Sequence, residues 1–311
     1  MKPTTFIILL LSLCAAAQTF THYPIPSRTI AGNVCTSPDG LYVYFMLNTT
    51  IARIDMAGRT AEFRVPAVGN NAMSLVGCSF SPAGTLFFAD QNSYTVYAFE
   101  PALRTFRKFT MAVPHSEMAG LVFHSDGLLY IMVSGSSAIQ RMAPDGTFLP
   151  PVLLAPGRYP HGPSSCAGNV WFAENAANRL ALLTPTGIVQ EFLLPTSNSR
   201  PFSTVCAPDG GVYFTLNTAN KIGRIDTSTY SIVTWSIPTP NSKPKGISLS
   251  KYGICFAESN VNKIGCKSLL SNAITETNVS VAGAAPNKLV SGPDGAVWFS
   301  ESNVSYLARF R

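Results

Sequence analysis

A short turn built on glycine, PDG in its fullest form, precedes a run of aromatic and β-branched residues seven times along the chain. The turn glycines are Gly40, Gly84, Gly127, Gly168, Gly210, Gly253 and Gly295, spaced by 44, 43, 41, 42, 43 and 42 residues. So steady a period demands a repeat architecture, in which each unit buries its apolar faces against its neighbours. Each unit reads as four strands. One leads into the turn (FSTVCA), an aromatic-rich one leaves it (GVYFTL), a third follows a loop (KIGRID), and a fourth ends in proline (VTWSIP). Four strands in roughly 42 residues is the pattern of a propeller blade. The predicted fold is all-β: a seven-bladed β-propeller with four-stranded blades. The last unit stops after its third strand, YLARF, while THYPIP, residues 21–26, carries the fourth-strand pattern at the other terminus. That N-terminal strand is expected to complete the last blade and close the ring, which removes open sheet edges.

The first residues stand outside the repeat. A basic start at Lys2, an apolar run from Phe6 to Leu13 and small residues through Ala17 read as a secretory signal over 1–17, leaving one domain over 18–311. The body has no apolar run long enough to span a membrane. Only 12% of residues are charged, and the 22 basic against 16 acidic side chains form no basic run, which argues against nucleic acid as a partner. Six cysteines remain after the signal, and the blade map pairs them as Cys35–Cys78, Cys166–Cys206 and Cys255–Cys266. Sequons at Asn48, Asn278 and Asn303 agree with a glycosylated protein that is secreted or held in the secretory-pathway lumen. A monomer is expected, since a closed ring needs no partner to fold.

The units PFSTVCAPDGGVYFTLNTANKIGRID and GPDGAVWFSES resemble the repeat of the virginiamycin B lyase family, most closely over residues 159–303. The resemblance implies a seven-bladed propeller and a metal-assisted eliminase that opens a cyclic depsipeptide. In that family, histidines follow the proline opening the first strand of the last blades, glutamates end second strands, and magnesium sits nearby. Here the corresponding prolines are followed by Phe202, Lys245 and Asn287, while Glu258 and Glu301 match the glutamates. Only the fourth unit keeps both residues, as His161 and Glu174; the third has His115 in VPHSE.

Propeller ligands sit at the channel mouth, where loops before first strands meet the ends of second strands. The candidate catalytic residues are His161, Glu174, Lys245 and Tyr159. The candidate substrate pocket is Met46, Asp90, His115, Met118, Met132, Phe202, Leu216, Glu258, Asn287 and Glu301, with Leu47 and Asn71 at neighbouring positions. Methionine, leucine and aromatics on one side, with polar groups on the other, suit a hydrophobic small molecule. The function expected on this reading is metal-independent ring closure of a natural product, of the hetero-Diels–Alder type, without a cofactor. One alternative is a magnesium-dependent lyase using His161 and Glu174. Another is a secreted binding protein with no catalysis.

Overall fold

The structure, a computed structural model, describes residues 19–69, 72–111 and 117–311. The expected leader 1–17, Asn71 and His115 lie outside the described residues. The described residues form seven four-stranded antiparallel sheets and no helix. The sheets are the blades, numbered here from the one beginning at Val34–Thr36.

Ring closure follows the sequence prediction. Phe20–Pro24 pairs with Tyr306–Phe310 of blade seven, in register from Phe20 opposite Phe310 to Pro24 opposite Tyr306. The closing strand ends two residues short of the predicted 21–26. Ile25 still donates its N–H to the Ser305 carbonyl, so the seam extends one residue further.

Second strands lie in the middle of each blade with another blade on either side. They are buried on both faces and read as largely apolar runs, such as Gly211–Leu216 and Leu86–Asp90. Fourth strands are outermost and half-exposed, as in Thr105–Thr110. Seven apolar clusters fill the seven seams between blades; one joins Val43, Phe45 and Ile54 of blade one to Trp298 and Leu307 of blade seven.

First strands line the central channel, and those of blades two to seven are each broken by a β-bulge. In blades four and six the bulge needs glycine because the neighbouring strand crowds against it. A Cβ on Gly162, whose φ is 51°, would lie 2.3 Å from the Phe202 carbonyl oxygen, and one on Gly246 would lie 2.4 Å from that of Asn287.

Two of the three expected disulfides are present. Cys166–Cys206 ties the first strands of blades four and five, and Cys255–Cys266 bridges directly opposed residues of blade six. The third expectation, Cys35–Cys78, is corrected: both thiols are free, joined by a hydrogen bond. Cys35 pairs with Tyr44 in the regular part of its strand, whereas Cys78 sits inside a bulge, between Val76 and Ser79. Cys166 and Cys206, by contrast, both lie past the bulges of their strands.

Candidate functional site

The pairing of first with second strands defines the channel mouth residue by residue. In blade four Pro160 opposes Glu174 and His161 opposes Ala173; Pro201–Leu216, Pro244–Glu258 and Pro286–Glu301 are the same pair in blades five to seven. His161, Phe202, Lys245 and Asn287 therefore share one level at the mouth. The next residue of each strand faces the channel: Gly162, Ser203, Gly246 and Lys288.

His161 is held by Phe202 through two contacts. Its Nδ1 lies 2.8 Å from the Phe202 carbonyl oxygen and its ring 4.1 Å from that of Phe202. A carbonyl only accepts, so Nδ1 carries the proton and Nε2 is left as the acceptor. Burial and, second, the charge of Lys288 lower the imidazole to about 3. It is neutral at any ordinary pH.

Lys288 reaches across the channel, with its ammonium 4.7 Å from the centre of the Phe202 ring, two blades away. Burial, and then the neighbouring charge of Lys245, bring it down to about 8. No carboxylate among the described residues pairs with either lysine.

The glutamates point elsewhere. Each turns away from the channel along its own blade, over a small residue of the third strand. A Cβ on Gly265 would lie 2.6 Å from Glu258 Oε1, and Ala181 and Ala308 hold the matching places. Each carboxyl then meets an ionisable group of its fourth strand. Glu174 faces Arg158 at 3.2 Å, but that guanidinium is committed to Glu191 by bonds of 2.8 and 2.9 Å. Burial therefore wins, followed by the Glu191 charge, and raises Glu174 to about 8. Glu258 is likewise raised to about 8 by burial and then by its hydrogen bond with Glu276, whose own carboxylate Thr239 and Lys263 stabilise. Glu301, raised to about 7 by burial, lies 3.2 Å from His22 of the closing strand.

The remaining candidates divide as follows. Met46, Met118, Met132 and Leu216 are all fully buried in seams between blades and do not line the channel. Asp90 caps a loop, accepting from the backbone N–H of Ser74 and Asn92 and from the Ser93 hydroxyl. Tyr159 is 43% exposed on the rim, and its carbonyl accepts from Asn175. His161, Phe202, Lys245 and Asn287 are the predicted residues that the fold brings together. Lys288 was missed. The repeat did carry its signal, because blades two, three, four and six have glycine at this position: Gly77, Gly120, Gly162 and Gly246.

Among the described residues no group of three or more His, Cys, Asp or Glu is arranged to hold a metal ion. No helix there is long and apolar enough to cross a membrane.

A sequence model of the virginiamycin B lyase family matches residues 67–311. A virginiamycin B lyase of Nocardia farcinica (strain IFM 10152) is 34% identical over 88 residues, 28% of this chain and 32% of that protein, so the match spans about a third of the relative's length. A streptogramin B lyase structure superposes with a TM-score of 0.86 at 26% identity, covering 94% of this chain and 97% of that one. A catalytically inactive histidine-to-alanine virginiamycin B lyase of Staphylococcus aureus with quinupristin gives a TM-score of 0.86 at 23% identity, covering 94% and 99%, a likeness of fold.

Proposed function

The chain belongs to the virginiamycin B lyase family, and from that premise we propose that it is a secreted lyase that eliminates across a C–O bond of a small molecule held at the channel mouth. His161 is the base. Its Nε2 takes a proton from the carbon next to a carbonyl, the C–H pair becomes a C=C bond, and the C–O bond breaks with its pair leaving on a carboxylate. Lys245 and Lys288 stabilise the oxygen on which charge develops. Phe202 holds the ring of His161 and offers an apolar face to the substrate.

The observation that carries this reading is the locked imidazole within reach of the Lys288 charge, itself next to Lys245. In the Staphylococcus aureus structure a histidine-to-alanine change accompanies loss of catalysis; this chain has Phe202, Lys245 and Asn287 in its last blades, and His161 of blade four is the histidine at that level of the mouth. Magnesium does not fit this ring. The channel presents the Lys288 ammonium, with the Lys245 charge acting on it, where a cation would need oxygen ligands, and Glu174, Glu258 and Glu301 are turned into the blades. We therefore assign the reaction no metal. Elimination is preferred to ring closure because, of the apolar wall that ring closure would use, Phe202 alone is at the mouth.

Secretion is supported by the two disulfides, by the apolar N-terminus and by the exposure of Asn48, Asn278 and Asn303. A glycan on Asn303 would displace its side-chain bond to the Gly283 carbonyl.

Protein made in a secreting host and offered a panel of cyclic esters and depsipeptides provides the test. Elimination opens a ring without changing its mass and creates a new C=C absorbance, whereas hydrolysis adds water. Chelator-resistant opening that disappears in His161→Ala supports the proposal. Opening that stops with chelator returns the metal, new rings favour the cyclase, and no turnover of any member removes the lyase reading.

A further inference from the structure

We propose that the central channel binds a small oxyanion, a carboxylate or the sulfate or phosphate of a monoester, between the ammonium groups of Lys288 and Lys245. The site lies just below the mouth and stands whatever bond the mouth breaks.

All seven first strands bound a cavity of about 140 Å³ here. A water needs only about 10–15 Å³ by the same measure, so a small oxyanion fits with waters to spare. Lys288 is the one charged residue among those lining it, and Asn33, Ser203 and Thr204 are among its polar lining residues. In four other blades the repeat has glycine at this place, so the cation is a feature of blade seven alone.

A cation drawn out of water needs a counter-charge. The groups that face Lys288 are Lys245, His161, the Cys78 thiol and the Phe202 ring, and none of them is an acid ionised in the ordinary carboxylate range. The nearby carboxyls are all turned into the blades, where Arg158, His22, Lys263 and Thr239 occupy them or their partners. The channel therefore holds like charges together with no protein anion to separate them. A ligand that brings the anion supplies what the fold leaves out.

Occupancy also has a consequence for the base, and this part rests on the elimination reading. Lys288 is one of the two causes that depress His161. An oxyanion beside Lys288 offsets that charge and raises the imidazole towards its ordinary range, where it is a stronger base. A substrate with an acidic group would thus prepare His161 on arrival.

The test is isothermal titration calorimetry of the intact glycosylated protein with sulfate, phosphate, acetate and malonate at constant ionic strength, against chloride as baseline. Calorimetry is preferred to melting shifts because sulfate stabilises any fold by exclusion. Saturable binding of at least one of these anions is expected. Lys288→Met should weaken it by roughly tenfold or more, Lys288→Arg should retain it, and exposed Lys243→Met should leave it unchanged. The preferred anion identifies the source, a carboxylate or an inorganic ester group. Absence of saturable binding by all four anions overturns the proposal, as does Lys288→Met binding with parental affinity. Failure of Lys288→Arg to bind while folded overturns it too. His161→Ala should bind the anion normally, so that loss of turnover with intact binding separates the reaction from the site.

Discussion

Ionisable side chains are buried in two regions of this ring, and the two regions treat charge in opposite ways. Inside blades four, six and seven, Glu174, Glu258 and Glu301 are fully covered, and each is held near or above neutrality by burial. Each also meets a second ionisable group from its own fourth strand, so a proton or a neighbour neutralises it. In the channel, Lys245 and Lys288 are only half-covered and have no carboxylate opposite. The difference assigns the acids to the scaffold and the bases to the site. A single turn of side-chain direction separates the two, because Glu174 stands directly across the strand pair from Pro160, next to His161.

The largest expected effect tests that assignment directly. His161→Ala should lower turnover by about 10²–10⁴-fold, the usual contribution of a general base. Glu174→Gln, one strand pair away, should leave turnover within roughly threefold, because its carboxyl is already protonated and faces Arg158. Steady-state kinetics of the two variants settle the matter, and the reverse order would move the acid into the site.

Stability against pH sharpens the scaffold side. Glu174 and Glu258 are raised from 4.5 to about 8 in the fold, so the folded state holds protons that the unfolded chain releases. Their contribution is complete below about pH 4.5 and is lost as pH rises through 8. Denaturant midpoints should therefore fall between pH 5 and 9. Glu258→Gln keeps the donor towards Glu276 and removes the titration. It should flatten the curve and, at pH 9, stabilise the fold by about 1–3 kcal/mol over the parent.

How these two regions were legible in the sequence differs for a physical reason. The period of the turn glycines and the displaced THYPIP strand fixed the ring, its blade count and its closure, because strand pairing depends on short-range patterns that recur in each unit. Cys166–Cys206 and Cys255–Cys266 followed from the same map. Side-chain direction did not. A bulge of one residue changes which neighbour faces the channel, and the bulges are invisible to a reading by strand number. That is why Lys288, one position beyond the proline-adjacent residue, is not legible from the strand pattern. Met46 and Met132 do stand at the mouth end of their second strands, but their side chains pack between blades, a direction that strand order does not give. The glutamates were placed correctly along their strands but on the wrong side, since only the third-strand glycine or alanine reveals where a long acidic side chain has room.

On the channel side, Lys288→Met should stabilise the empty protein. Folding lowers this ammonium from 10.5 to about 8, which means the charged form is disfavoured in the fold. The penalty is complete below about pH 8 and disappears as pH approaches 10.5. At pH 7 the variant should gain about 1–2 kcal/mol after allowance for solvent screening, a gain that shrinks as pH rises above about 8 and in a saturating oxyanion. A loss of stability at pH 7 would mean that the cation over Phe202 is worth more than its burial costs, and that the channel needs no ligand to balance it.

The smallest effect concerns how the two lysines share their repulsion. Lys245→Met should stabilise by about 0.5 kcal/mol, less than Lys288→Met, since its side chain is nearer the open mouth, and salt should reduce the gain. Each substitution removes the same like-charge contact, so the double variant should gain less than the sum of the two. A coupling of roughly 0.5 kcal/mol in a double-mutant cycle would show that the ammonium groups sense each other across one space. Additive gains would show that they do not, and an oxyanion bridging them would then lack its second partner. The cycle thus measures, in the empty protein, the same electrostatic contact that a bound anion is expected to relieve.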